Sequence, residues 1–199
     1  LCVEGGILFG GDNAIYFYNY QTRQLEHRTH LQPEGPQTRP IQYRVAKMIP
    51  MANGKVMVAT RRKGVFVYHL ESGQFEPYIT DHPNALLIAI CRTSDHRVFA
   101  SFYAKGVHHY DSQGKKLGSY TTDNSPLTNN YVMDLIEYKG KVWLGTDGGG
   151  INLIDLENGE FSFLSHTTGD SSSLPVNSII RLYKDYNENL WIGSVRGGV

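Results

Sequence analysis

Only two cysteines, Cys2 and Cys91, occur in 199 residues. That is too few for a disulfide scaffold, and neither belongs to a CxxC pair suited to redox chemistry or zinc. Both read as small hydrophobes, and no disulfide is expected between them. No window of about 18 uninterrupted apolar residues is present, and the opening LCVEGGILFG lacks the basic flank of a secretion signal. The segment is expected neither to span a membrane nor to direct its own export. Neither charge sign is in excess, because 19 Lys and Arg balance 19 Asp and Glu. No global attraction to nucleic acid or an anionic membrane follows, and no nucleic-acid partner is expected. The balance is uneven along the chain: residues 1–118 carry fourteen basic and nine acidic groups with seven of the eight His, and residues 119–199 carry five basic and ten acidic.

With 40% hydrophobic and 19% charged residues the composition is globular. What is abundant is repetition. VWLGTDGGGINLIDLENGEF from Val142 has relatives in VMVATRRKGVFVYHLESGQF from Val56, VFASFYAKGVHHYDSQGKKL from Val98 and LWIGSVRGG from Leu190, with a degenerate copy, ILFGGDNAIYFYNYQTRQL, from Ile7. The anchors Leu8, Met57, Phe99, Trp143 and Trp191 are 49, 42, 44 and 48 positions apart. Propeller blades and two-helix solenoids share that period.

Short runs of Val, Ile, Phe, Tyr and Trp between turn dipeptides at about ten-residue spacing decide for strands. The fourth unit reads as strand a over 131–137, a turn over 138–141, strand b over 142–146, strand c over 150–155, a turn over 157–159 and strand d over 161–165. Turns at Asn53-Gly54, Ser72-Gly73, Gln113-Gly114 and Asn158-Gly159 suit hairpins needing a positive φ. Runs such as VFVY and YVMDLI are apolar on both faces, as in sheets sandwiched between neighbours. The expected fold is therefore all-β, with four-stranded antiparallel propeller blades of 42–49 residues. The blades fall at 1–31, 41–80, 85–122, 130–166 and, partially, 176–199, one propeller segment of about four and a half blades. A closed ring of seven would need roughly 315 residues, so a longer parent is expected.

Alternating strand direction puts the b–c turns and the d–a connections on one face and the a–b and c–d hairpins on the other. The first face carries the long segments 30–40, 80–84, 121–130 and 167–176, and loops on a rigid scaffold are where binding residues concentrate. Its b–c turns contribute the candidate ligand-binding residues Arg61, Arg62, Lys63, Tyr103, Lys105, Asp147 and Arg196. Aromatic rings beside basic and acidic groups suit sugars, and the run Arg61-Arg62-Lys63 suits a uronate or sulfate.

Other chemistry finds little support. Gly148-Gly149-Gly150 leads into a strand, whereas a phosphate cradle must open a helix. Asp185-Tyr186-Asn187-Glu188-Asn189 begins like a calcium loop but lacks the following Gly and the distal Glu. His108 and His109, adjacent on a strand, point to opposite faces and cannot easily share a metal. Cys91, His96 and His82 lack ligand spacing. No G-x-S-x-G or comparable nucleophile signature occurs. Neither a metal, a cofactor nor catalysis is expected of this segment.

SLPVNSIIRLYKDYNENLWIGSVRGGV from Ser173 and PLTNNYVMDLIEYKGKVWLGTDGGGINLID from Pro126 resemble the two-component regulator propeller repeat, with its Leu-x-x-Asn-x-Val/Ile start, its Asp-x-x-x-Asn-Leu-Trp-Ile-Gly-Thr core and its Gly-Gly-Leu end. The second and third units match in outline, with Met57 and Phe99 in place of Trp and Ala59 and Ser101 in place of Gly. The resemblance implies the periplasmic sensor of a Bacteroidetes hybrid two-component system. Two seven-bladed propellers and a β-sandwich would precede a transmembrane helix and a histidine kinase, and oligosaccharides would regulate polysaccharide-utilisation genes. Membrane attachment, kinase activity and any homodimer would belong to the parent. A protein-interaction propeller and a glycan lyase are the alternatives.

Overall fold

The computed structural model describes residues 1–12, 14–30, 44–82 and 84–198. All regular structure among them is strand, in eighteen segments. The chain divides into two compact units, Leu1–Leu87 and Ile88–Val199.

The first unit holds two four-stranded antiparallel sheets in sequential order. One comprises β1 (Cys2–Val3), β2 (Gly6–Gly10), β3 (Ala14–Asn19) and β4 (Leu25–His30). The other comprises β5 (Val45–Pro50), β6 (Lys55–Thr60), β7 (Val65–His69) and β8 (Phe75–Ile79). Leu8, Ile15, Phe17, Val56, Val58 and Tyr68 form a core with Val45 and Met48 packed against it. Such side chains stabilise by about 1.5–3 kcal/mol each when fully buried.

The second unit repeats the plan. Strands β9 (Leu87–Arg92), β10 (Val98–Phe102), β11 (Val107–Tyr110) and β12 (Lys116–Tyr120) make one sheet. Strands β13 (Val132–Tyr138), β14 (Lys141–Thr146), β15 (Ile151–Asp155) and β16 (Phe161–Leu164) make the next, and β17 (Ile179–Lys184) pairs with β18 (Leu190–Ser194) alone. Two apolar clusters run through the unit, one from Ala89 and Phe99 to Leu135 and Leu144, the other from Ile151 and Leu153 to Ile179 and Leu182. Residues of one sheet thus fill the face of the next, which is why these strands are apolar on both sides.

The anchors follow from that stacking. Leu8, Met57 and Phe99 are buried, whereas Trp191, on the last sheet, is 49% exposed. The small residue two places on is a contact requirement. A Cβ on Gly10 would lie 2.5 Å from Val45, and one on Gly145 would lie 2.9 Å from Ile179, in each case the first residue of the following strand a.

The expected strands of the fourth unit differ from the observed ones mainly at the first hairpin. Strand a runs to Tyr138, and Lys139-Gly140 alone turns the chain, with φ of 49° and 72°. Two successive positive φ values make the mirror-image turn that matches strand twist. Lys is not a turn signal, and the sequence therefore points to a longer, four-residue turn. Of the four anticipated dipeptides only Asn53-Gly54 is positive at both residues, and elsewhere Gly73, Gly114 and Gly159 carry the positive φ alone.

Candidate functional site: the rim of the b–c turns

The stretch after β14 carries the densest glycine run, and its four amides are all engaged. Asp147 N–H donates to Tyr131 O at 2.9 Å, Gly148 and Gly150 both donate to Asn177 O at 3.1 and 2.8 Å, and Gly149 donates to Thr146 Oγ1 at 3.1 Å. No amide remains to cradle a phosphate. Gly150 sits at φ +72°, and a Cβ there would meet Leu164 O at 2.3 Å. The turn is a joint between sheets.

Asn177 is the other half of that joint. Its carbonyl receives the two glycine amides, while its Oδ1 accepts His166 N–H at 2.6 Å. Asn130 repeats the arrangement one sheet earlier: its carbonyl accepts Gly106 N–H at 3.1 Å and its Oδ1 accepts Thr122 N–H at 3.0 Å. The Asn of Leu-x-x-Asn therefore holds the preceding sheet's b–c turn and the end of its strand d together. Between the same strands, the buried Asp134 accepts Leu182 N–H at 3.0 Å and Leu135 N–H at 2.9 Å, with Arg181 3.8 Å away. A register shift places Asp134 there, and the same shift recurs at Ile179/Arg181.

On this frame the seven candidate residues separate. In the first unit, Arg61 exchanges backbone hydrogen bonds with Arg44 and Leu87, and its Nη1 donates to Leu87 O at 3.4 Å. Lys63 Nζ donates to Asn84 Oδ1 at 3.1 Å. Both cations brace the 80–87 connection, and Arg62 accepts Asn84 N–H at 3.0 Å through its carbonyl while its exposed side chain has no partner among the described residues. The expected segment 30–40 lies outside the described residues from Leu31 onward.

In the second unit, Tyr131 lies between two of the candidates, its ring against Tyr103 and its backbone against Asp147. Tyr103 and Tyr131 meet edge to face at 5.3 Å and 85°. Asn129 fixes this corner by accepting Tyr131 N–H at 2.7 Å and donating to Asp147 O at 2.7 Å. The Asp147 carboxylate accepts the Ser178 hydroxyl. Lys105 is exposed in the β10–β11 turn, and Arg196 is exposed at φ 62° in the turn after β18. Tyr131, Asn129 and Ser178 are absent from the residues the sequence singles out. The Leu-x-x-Asn spacing marks Asn130 and Asn177, but nothing in a single sequence marks the residues beside them.

Two further features are structural. Asp185 takes Asn187 N–H, Asn189 N–H, Asn189 Nδ2 and Trp191 Nε1, each at 2.9–3.1 Å. The Trp191 hydrogen bond leads in holding this carboxyl below the ordinary range. Its four acceptor positions are filled, so the calcium-like spelling encodes a turn. His109 stacks between Phe99 and Tyr120, at 5.8 and 4.9 Å, over Gly118. Burial first, then Arg97 and Lys116, lowers its pKa. His108 faces the other way, edge-on to Phe102.

A concavity of about 680 Å³ lies beside β18 and is lined by Phe163, Leu164, Leu174, Pro175, Trp191 and Ile192 among others. No helix among the described residues is long and apolar enough to cross a membrane.

Fold and rim together define a β-propeller segment of four-stranded blades. Residues 173–196 carry a repeat of the two component regulator propeller family, whose sequence model matches there. No curated protein matches the chain. Among solved structures, the extracellular domain of a protein described as a hybrid two component system of B. thetaiotaomicron is similar, with 19% identity, a TM-score of 0.73, and coverage of 98% of this chain and 26% of that one. Another B. thetaiotaomicron extracellular domain, described as of a one component system, is 22% identical with TM-score 0.57, over 98% of this chain and 31% of that one. PorZ, a surface component of the type-IX secretion system of Porphyromonas gingivalis, is 18% identical with TM-score 0.62, over 94% and 29%. At such identities the likeness establishes the fold. The chain spans about a quarter of the length of the first of these proteins.

Proposed function

We propose that this chain is a ligand-sensing propeller segment of an extracytoplasmic sensor in a hybrid two-component system, and that the ligand is an oligosaccharide bound without chemical turnover. The supporting observation is the asymmetry between the two ends of the second unit's sheets. At the a–b and c–d end, side chains lock sheets together: Ser94 donates twice to Glu137, Arg97 Nη2 donates to Leu156 O at 2.6 Å, and Tyr138 Oη donates to Glu188 O at 3.0 Å. At the b–c end, backbone groups, Asn side chains and the Ser178–Asp147 contact do the locking, and Tyr103 and Tyr131 stand exposed as a pair near exposed Lys105, whereas Tyr186, exposed in the β17–β18 turn of the opposite end, has no ring partner among the described residues. A rigid scaffold displaying free aromatic and polar groups on one rim is the arrangement of a binding surface.

The repeat at 173–196 and the likeness to extracellular domains of two-component and one-component systems support the sensing role and the extracytoplasmic location. Membrane anchoring, kinase output and dimerisation then belong to the parent protein. A thermal-shift screen of the complete ectodomain against oligosaccharides tests the reading. A shift by a defined glycan that is recovered unmodified supports it; glycan cleavage, or no shift across the panel, contradicts it.

A further inference from the structure

The second unit's rim holds groups with unused binding capacity side by side. A ligand site built from them deepens the sensing role proposed above and rests on it. Tyr103 and Tyr131 are 57% and 42% exposed, and neither hydroxyl has a protein partner among the described residues. A structural tyrosine pair buries its ring faces and satisfies its hydroxyls; this pair does neither. The Tyr131 carbonyl accepts Asp147 N–H at 2.9 Å, so the backbone of Asp147 borders the pair while its carboxylate turns to Ser178. Ser178 orients one carboxylate oxygen, and the other has no donor among the described residues.

We propose that this corner binds one pyranose ring of a neutral oligosaccharide. The C–H face of the sugar stacks on one tyrosine ring, and the second, nearly perpendicular ring closes the side. The open oxygen of Asp147 accepts hydroxyl hydrogens, and the two phenols serve the remaining hydroxyls. Neutrality follows from charge. Lys105, exposed in the same turn as Tyr103, and Asp147 together leave the corner without net charge, so nothing there offsets the desolvation of a uronate or sulfate. The two cations most suited to an acidic sugar, Arg61 and Lys63, are engaged with Leu87 O and Asn84 Oδ1 in the other unit.

The test is calorimetric titration of the complete protein carrying this chain with cellotetraose, maltotetraose and mannotetraose, and with trigalacturonate as the acidic comparison. The expected result is binding of at least one neutral tetrasaccharide. Tyr131→Ala then weakens that binding by about tenfold, and Tyr103→Phe, which keeps the ring, by less than about threefold. Arg62→Ala leaves it unchanged. Binding of trigalacturonate alone, or wild-type affinity in Tyr131→Ala, overturns the neutral-ring assignment and leaves oligosaccharide sensing standing. Failure of all four probes overturns the assignment, and failure of the wider glycan panel as well overturns the sensing role with it.

Discussion

The two units are built from one repeat and finish it differently at the rim. In the first, the residue after strand b is Arg61, and with Lys63 it is drawn inward to brace a connecting segment. In the second, the equivalent residues are Tyr103 and Asp147, while the bracing falls to Gly150, Asn130 and Asn177. Where small and amide residues carry the architecture, long side chains are released to face solvent. The repeat's Leu-x-x-Asn and Gly-Gly elements are thus structural, and they are what makes the neighbouring positions available for recognition.

The largest effect should come from the joint. Gly150→Ala combines a positive φ with a Cβ 2.3 Å from Leu164 O, and about 3 kcal/mol of destabilisation is expected. Gly54→Ala in the first unit has a similar φ of +64° but open space, and about 1 kcal/mol is expected. Equal losses in denaturant unfolding would break the distinction between strained joint and simple turn. Next in size, Asn177→Ala removes the acceptor of His166 N–H, at about 1 kcal/mol. Lys63→Met removes the cation that donates to exposed Asn84, where less than about 0.5 kcal/mol is expected.

A smaller effect is pH-dependent and belongs to the second unit. His109 has its pKa lowered from 6.5 by burial, then by Arg97 and Lys116. The unfolded chain therefore takes up the proton more readily, so stability present above about pH 6.5 declines as the pH falls below it. His109→Phe should flatten the change in unfolding midpoint between about pH 7 and 5.5, and an unaltered slope would assign it elsewhere. At Asp95 burial raises the pKa, but the hydrogen bonds from Arg97 and Thr93 prevail and lower it from 3.8 to about 2. Its contribution is present above pH 3.8 and is lost as the pH falls towards 2.

Much of this fold is readable from the sequence because repetition multiplies a weak signal. One run such as VFVY is ambiguous, but five copies with a small residue at one place, four of them with a glycine just before strand c, define blades. Individual turns are less readable, as Lys139 shows, because a non-glycine residue adopts a positive φ only when flanking strands impose it. The site is half readable. Tyr103 and Asp147 follow from strand direction and turn position. Tyr131 does not, because its importance comes from a neighbour 28 positions away in sequence. The expectation of an acidic ligand rests on Arg61, Arg62 and Lys63 as a run, and counting charges does not show which of them the backbone already engages.

The claim that the second unit's rim is the recognition surface is most directly tested by hydrogen exchange of the complete protein, with and without a saturating tetrasaccharide. Added protection at 101–107 and 128–133 is predicted, with 61–63 and 84–87 unchanged. Protection confined to 61–63 and 84–87 would contradict the account and return recognition to the basic rim of the first unit.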